Sequence, residues 1–420
     1  MTWNNRVIPF TFFLFLLALL TALPAHAERR ALEISLKVPP ANELGVYTGA
    51  AGFSIGEVSD ATFSESPSHV GMGPEAIYEI VTAGTRAETV RKGVTEAFGK
   101  AGLLKTSPTP SIYTVDVTLR RVHEQTHMTF ARFRLRSEIF LEFTFKKNGV
   151  SEGRVLASGN AQTYAQVATK AKYTEVFQLA FNDAIYKLYN SKTLARIAGE
   201  GWKPMLGPTE RSNYNVTRIH KDEFYGPTDT ILAEASKASK SVQAAGSFNA
   251  VALPDFELEA VTGSTKSAVA DVAFARALIP ALVQEHLNAF FPGAFTTTER
   301  PIAGASKKGL LVSGKLDDFQ VGNFYLRSII GLGAGKEKLE GQISFQEATT
   351  GTTLHSFKVL NSNWGAGWQT KRGSIRDMAD QLARDIAYFL VQTAAPNYQP
   401  PQDLEILFDD TRYPMEQSKS

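Results

Sequence analysis

The chain has no cysteine in its 420 residues. That excludes disulfides, thiolate metal sites, a cysteine nucleophile and an acylated lipoprotein cysteine. It also has little charge imbalance. Lys and Arg number 44 and Asp and Glu 42, a net +2, which excludes bulk electrostatic attraction to nucleic acid. Long apolar runs are missing everywhere except at the start. Over the whole chain the hydrophobic fraction of 43% and charged fraction of 20% are those of a folded globular protein, so wholesale disorder is excluded. The length suffices for two domains with ordinary cores.

The apolar start has the parts of a secretory signal. Arg6 precedes an apolar stretch from Val7 to Leu23, which contains Phe10, Phe12, Phe13 and Phe15. Ala25-His26-Ala27 is a small-x-small cleavage site, so the mature chain is expected to begin at Glu28. An uncleaved anchor is the alternative. The run is slightly short for a span and ends at Pro24.

After the signal, period-two and period-3.6 patterns alternate. Leu32 to Val38 reads as a strand, and Gly45 to Pro74 as a long loop. Thr85-Arg86-Ala87-Glu88 is a capping box before a helix with Val90, Val94, Ala97 and Phe98 on one face. Tyr113 to Leu119 and Ala131 to Phe145 alternate as strands, Asn148-Gly149 is a hairpin turn, and Val155 to Tyr164 is a third strand. Tyr173 to Leu188 is an amphipathic helix.

The order recurs later. A strand at Val251 to Leu258 precedes a helix through Leu278, Leu282 and Leu287, broken or started late by Pro280. A three-strand meander covers Leu310 to Val359, and a last helix runs through Met378, Leu382, Ile386 and Leu390. Asp183-Ala-Ile-Tyr186-Lys-Leu188 aligns with Asp385-Ile-Ala-Tyr388-Phe-Leu390. The expected fold class is α+β, with two homologous β-α-β-β-β-α domains, each an antiparallel-rich mixed sheet with helices on one face. The expected boundaries are a signal at 1–27, a first domain at 28–198, a connector at 199–247, a second domain at 248–395 and a disordered tail at 396–420. Within the connector, Thr228 to Ser241 has the makings of a short polar helix.

Few residues suggest chemistry. His123-Glu124-Gln125-Thr126-His127 matches H-E-x-x-H, which on a helix places two zinc-binding imidazoles on one face with the Glu as general base. Its flanks alternate with period two, so a strand end and turn is the preferred reading, and a zinc-dependent hydrolase using His123, Glu124 and His127 is the alternative. Gly331-x-Gly-x-Gly-Lys336 is too short for a phosphate loop and reads as a tight bend between strands. Arg132, Arg134 and Arg136 share one strand face. They read as a solvated stripe balanced by Glu138 and Glu142, or as a contact for an acidic protein, a lipid headgroup or an anionic glycan. Arg327 sits similarly after a turn, and Trp364 and Trp368 lie on a Gly-rich stretch as candidate contacts. No catalytic residue, metal ligand or cofactor site is assigned.

The pattern of Gly314, Leu316, Phe319, Gly322, Asn323 and Arg327, then Gly331, Gly333, Gly335 and Lys336, then Thr350-Gly351, resembles an uncharacterised family of bacterial envelope proteins. The resemblance covers Ala250 to Ala395. It implies a fold related to the N-terminal domain of TolB and to the periplasmic domain of curli-secretion channels. The first half is similar to small outer-membrane auxiliary lipoproteins of the YajG type. Together these imply a non-catalytic periplasmic accessory or assembly module. Its expected partner is an envelope protein complex or outer-membrane component, with anionic lipid or glycan as further options and no nucleic acid.

The signal reading predicts that N-terminal sequencing of the protein from cell envelopes starts at Glu28. A chain that keeps Met1 establishes the anchor instead.

Overall fold

The computed structural model describes residues 30–31, 45–49, 52–62, 68–70, 78–80, 86–104, 112–128, 133–166, 169–204, 228–258, 261–262, 266–299, 308–320, 337–363 and 375–408. In the first half, β1 (Phe53–Asp60) lies parallel to β2 (Tyr113–Met128), and α1 (Arg86–Lys100) joins them. Antiparallel β3 (Phe133–Lys147) and β4 (Val150–Ala165) follow. Asn148 and Gly149 turn the hairpin with positive φ, which a two-residue loop between right-twisted strands needs. α2 (Lys170–Tyr189) is capped by Thr169, whose side chain accepts from the Lys172 N–H. α3 (Lys192–Ala198) closes the half.

The inward parity of the strands makes the first core. Val115, Val117, Leu141, Phe143 and Phe145 pack there with Val94 and Phe98 of α1 and Val176 and Phe181 of α2. α2 comes unusually close to β4 at Gly159. A Cβ at that position would lie 1.8 Å from the Ala180 carbonyl oxygen.

The second half contains α4 (Asp229–Ala245), β5 (Ala250–Ala252), α5 (Lys266–Phe290), β6 (Gly309–Gln320), β7 (Glu337–Glu347), β8 (Thr353–Asn363) and α6 (Ile375–Ala394). β5 is parallel to β6, and β6, β7 and β8 are antiparallel neighbours. Short strands at Thr296–Thr298, Glu257–Leu258 and Val261–Thr262 complete a seven-stranded sheet. The order β5-β6-β7-β8 repeats β1-β2-β3-β4, so the expected duplication of a β-α-β-β-β-α unit is present. Gly149 and Gly351, both at positive φ, occupy equivalent hairpin turns.

Three features differ from the sequence reading. β1 falls inside Gly45 to Pro74, taken as loop, because Gly56 and a bulge between Ile55 and Val58 erase its alternation. The expected strand at Leu32 to Val38 lies outside the described residues. α4 falls inside the expected connector yet belongs to the second core. Ile231, Ala235, Ala238 and Val242 are buried there, and the two alanines, flanked by polar residues, give a weak apolar signal. The Asp385 carboxylate anchors its start, accepting from Thr228 N (3.0 Å) and Oγ1 (2.9 Å). The expected disordered tail contains β9 (Leu404–Leu407), which pairs in parallel with β4 and makes the first sheet five-stranded. Residues 409–420 lie outside the described residues.

The way the two units pack sets up the candidate site. The first sheet carries helices on both faces. α1 and α2 cover one, and α5 and α6 of the second half cover the other. Phe140 and Leu156, from β3 and β4, point away from the first core and join the second. Phe140, Phe290 and Phe408 meet edge to face, with ring centroids 4.8 to 5.8 Å apart. The layers therefore run α1/α2, first sheet, α5/α6, second sheet.

The close approach at Gly159 predicts that Gly159→Ala destabilises the protein by about 3 kcal/mol in a denaturant titration. Gly149→Ala has nothing within 4 Å of the new methyl and costs about 1 kcal/mol through its positive φ. Equal effects of the two substitutions would contradict the packing described.

Candidate functional site

A bulge between Leu119 and Arg121 reverses the parity of β2. Val115, Val117 and Leu119 face the first core, and Val122 resumes that side. Arg121 and His123 are thereby turned onto the opposite face, toward α5 and α6. Arg121 has no exposed surface, and each end of its guanidinium meets a carboxylate from a different element. Nε lies 3.2 Å from Glu138 of β3, Nη1 lies 2.9 Å from Glu285 of α5, and Nη2 lies 2.8 Å from Asp380 of α6. Asp380 also accepts from Arg384 one turn later on α6 (2.9 Å) and pairs with His286 Nε2 (2.9 Å). His123 Nε2 stands 3.8 Å from the same carboxylate.

The charges inside this cluster decide its protonation. Burial opposes the Arg121 charge, but Asp380, Glu138 and Glu285 outweigh it and hold the guanidinium ionised. Burial also opposes the Asp380 charge, and Arg121, His123 and His286 together keep its pKa well below the ordinary carboxylate range. For His286, burial and the Arg121 charge outweigh Asp380 and lower the pKa to about 4, so the ring is neutral at pH 7. Glu138, Glu285 and Asp380 are thus committed to cations, and the cluster is sealed between two layers. A buried pair of this kind adds little net stability, but loss of one partner strands the other in low dielectric at a cost of roughly 3–5 kcal/mol. The arrangement fixes how the two halves meet.

The H-E-x-x-H segment lies within β2 and not on a helix. His123 faces the cluster, while Glu124 points to the opposite side and accepts from the Ser137 hydroxyl. In an extended strand, residues 123 and 127 are separated by about 13 Å. The zinc-hydrolase geometry is therefore not formed. The His127 side chain lies outside the described residues.

The structure also revises the arginine stripe. Arg136 is buried, 2% exposed, and Glu138 and Glu142 beside it are buried too. From Arg136 to Glu142 this face of β3 is buried and not solvated, and at Phe140 it joins the second core. Glu142 is held by Arg120 (2.8 Å) and Arg154 (3.3 Å). The side chains of Arg132 and Arg134, and all of Arg327, Trp364 and Trp368, lie outside the described residues. Sequence reasoning missed Arg121, Glu285, His286, Asp380 and Arg384. A usable signal was present, since Glu285-His286 sits between Leu282 and Leu287, and Asp380 and Arg384 lie one turn apart among the apolar positions of α6.

Residues 251–367 match the family described as Domain of unknown function (DUF4410). Among curated proteins none matches the chain. Of solved structures, the chain is similar to protein XCC0632 from Xanthomonas campestris, a DUF330 protein. The identity is 13% and the TM-score 0.28, over 38% of this chain and 91% of that one. It is also similar to a PelC dodecamer from Paraburkholderia phytofirmans, at 16% identity and a TM-score of 0.20, over 37% and 95% of the two chains. The DUF4410 segment holds β5 to β8 and α5. It supplies Glu285 and His286 to the cluster, whereas Arg121, His123 and Glu138 come from the half before it and Asp380 and Arg384 from α6 after it. One glycine of the segment has a packing reason. A Cβ on Gly314 would lie 2.2 Å from the buried ring of Phe256.

The cluster predicts a pH dependence. The folded pKa of His286 lies below its unfolded value of 6.5, so its contribution is complete above about pH 6.5 and is lost as the pH falls toward 4. That loss is on the order of 3 kcal/mol. Asp380, held low, adds to the loss only below the carboxylate range, and Asp385, raised by burial, acts in the opposite sense. Denaturant titrations at pH 7 and pH 4.5 should show the fall, and His286→Gln should flatten it. Parallel curves for the two proteins would remove His286 as the cause.

Proposed function

We propose that this chain is a non-catalytic accessory or assembly module of the bacterial envelope. It is exported by its N-terminal signal to the periplasm, sits peripheral to the outer membrane, and binds a protein, lipid or glycan partner there. The observation that carries this reading is the use made of the buried cluster. Arg121, Glu138, Glu285, Asp380 and His286 are acid–base groups of the kind an active site would use, and here they neutralise one another and join two copies of a fold. The tripartite N-terminal signal supports the envelope setting. Arg136 is removed from the candidate contact surface by its burial, which leaves Arg132, Arg134, Arg327, Trp364 and Trp368 as the positions to test.

Crosslinking in intact cells followed by pulldown tests the proposal. A defined envelope partner should be recovered with the wild-type protein and depleted by Arg132→Glu with Arg134→Glu, or by Trp364→Ala with Trp368→Ala. Recovery of the protein alone from the envelope fraction overturns the partner-binding reading.

A further inference from the structure

The outer edge of β4 is finished in two different ways. Toward its C-terminal end the edge is closed by α2, where Lys187 donates to the Ser158 carbonyl (2.6 Å) and Asp183 accepts from the Asn160 N–H (3.1 Å). From Arg154 to Ala157 it is instead covered by β9, in the register Leu404↔Arg154 to Leu407↔Ala157. A sheet edge left open over one short stretch is a template for one short strand.

That stretch reads its occupant by side chain as well as backbone. Arg154 donates its N–H to the Asp403 carbonyl (2.8 Å), and its guanidinium grips the Asp403 carboxylate through Nε and Nη2, both at 2.8 Å. Glu405 accepts from the backbone N–H groups of Lys192 (2.9 Å) and Thr193 (2.7 Å). Leu404, Ile406 and Phe408 pack into the core between the halves, and Leu407 packs on the other side of the sheet. Alternate apolar positions, two acidic anchors and a parallel ladder together define a sequence-selective strand site. The occupant lies near the end of the chain. It is reached through a link with Pro396, Pro400 and Pro401, which rests on the second half where Tyr398 donates to the Pro292 carbonyl (2.9 Å).

We propose that the β4 edge at Arg154–Ala157 is a strand-binding groove, filled in cis by Asp403–Phe408, that also takes the same C-terminal segment from a second copy of this chain. The groove fits an extended peptide with Asp and Glu two residues apart, one apolar side chain between them and three after them. A second copy carries that peptide at its end, and an exchanged terminal strand is a low-cost route to association. In one copy the link keeps the local concentration of the segment high, so exchange competes only when the segment leaves.

The test uses the full chain with a site-specific protease sequence inserted between Gln399 and Pro400. After cutting, the C-terminal segment should stay bound, and a fluorescent peptide of residues 400–420 should exchange into the groove saturably. Arg154→Ala should weaken that peptide about tenfold, and uncut chain should take none at the same concentration. A chain lacking residues 396–400, shortened to hold the segment off its own groove, should rise in mass by whole multiples in light scattering. Ile406→Asp in that background should restore the starting mass. A cut chain that refuses the labelled peptide, or unfolds when its segment leaves, overturns the groove. A shortened chain that keeps the starting mass overturns exchange between copies.

Discussion

The relation between the two halves depends on one guanidinium. Arg121 projects from the first sheet into a layer with no solvent, where Glu138, Glu285 and Asp380 compensate its charge from a strand and two helices. Sliding the second half by one helical turn would leave at least one of these charges buried without its partner, at a cost of several kcal/mol. Apolar contact alone tolerates such slips, because Phe, Leu and Ala side chains repack at small cost. The aromatic group of Phe140, Phe290 and Phe408 therefore supplies contact area, and the ion cluster supplies register.

The duplication also shows why the stacking ends after two units. In the first sheet the outward positions Phe140 and Leu156 are the apolar anchors on which the second half's helices sit. The equivalent positions of the second sheet are Gln342 and Lys358, both exposed, and Gln342 donates to Ser356 across the strands (2.5 Å). The helix-facing side is retained, with Ile343 and Phe345 standing where Leu141 and Phe143 stand. Equivalent residues have also been given different work. Asp183 closes the edge of β4 together with Lys187, whereas Asp385 anchors α4, and the position of Lys187 is taken by Phe389, which stacks on Phe345 at 4.2 Å. Strand edges follow the same divergence. β9 covers β4, while α4 lies along β8, with Ser241 donating to the Leu354 carbonyl and Glu234 pairing with His355.

Much of the fold was legible from period alone. β2, β3, β4, β7 and β8 alternate strongly, and α1, α2 and α6 carry complete apolar faces, so their existence and order could be read directly. β1 was not legible because an edge strand with a bulge and a glycine has no regular parity. α4 was legible only as a short polar helix of a connector, because alanine contributes little apolar contrast, and its place in the second core was not. β9 escaped because four residues near a chain end resemble any short apolar run until the strand they pair with is known. The cluster escaped for a different reason, since strict alternation puts Arg121 on the side of Leu119, and only the bulge turns it onto the opposite face.

The sequence by itself determined most of the strands and helices, that the unit occurs twice, and which side of the regularly alternating strands is polar. It could do so because period, turn chemistry and glycine placement are local properties of the chain. Tertiary structure alone decided what happens to the polar sides. On the first sheet that side became the interior of the molecule and on the second it stayed exposed, because a helix layer from the second half covers one and not the other. Period specifies the face on which a charge lies. Whether that face meets water or another layer depends on contacts between residues far apart in the chain, and this buried Arg136, Glu138 and Glu142 on a strand side that reads as solvated.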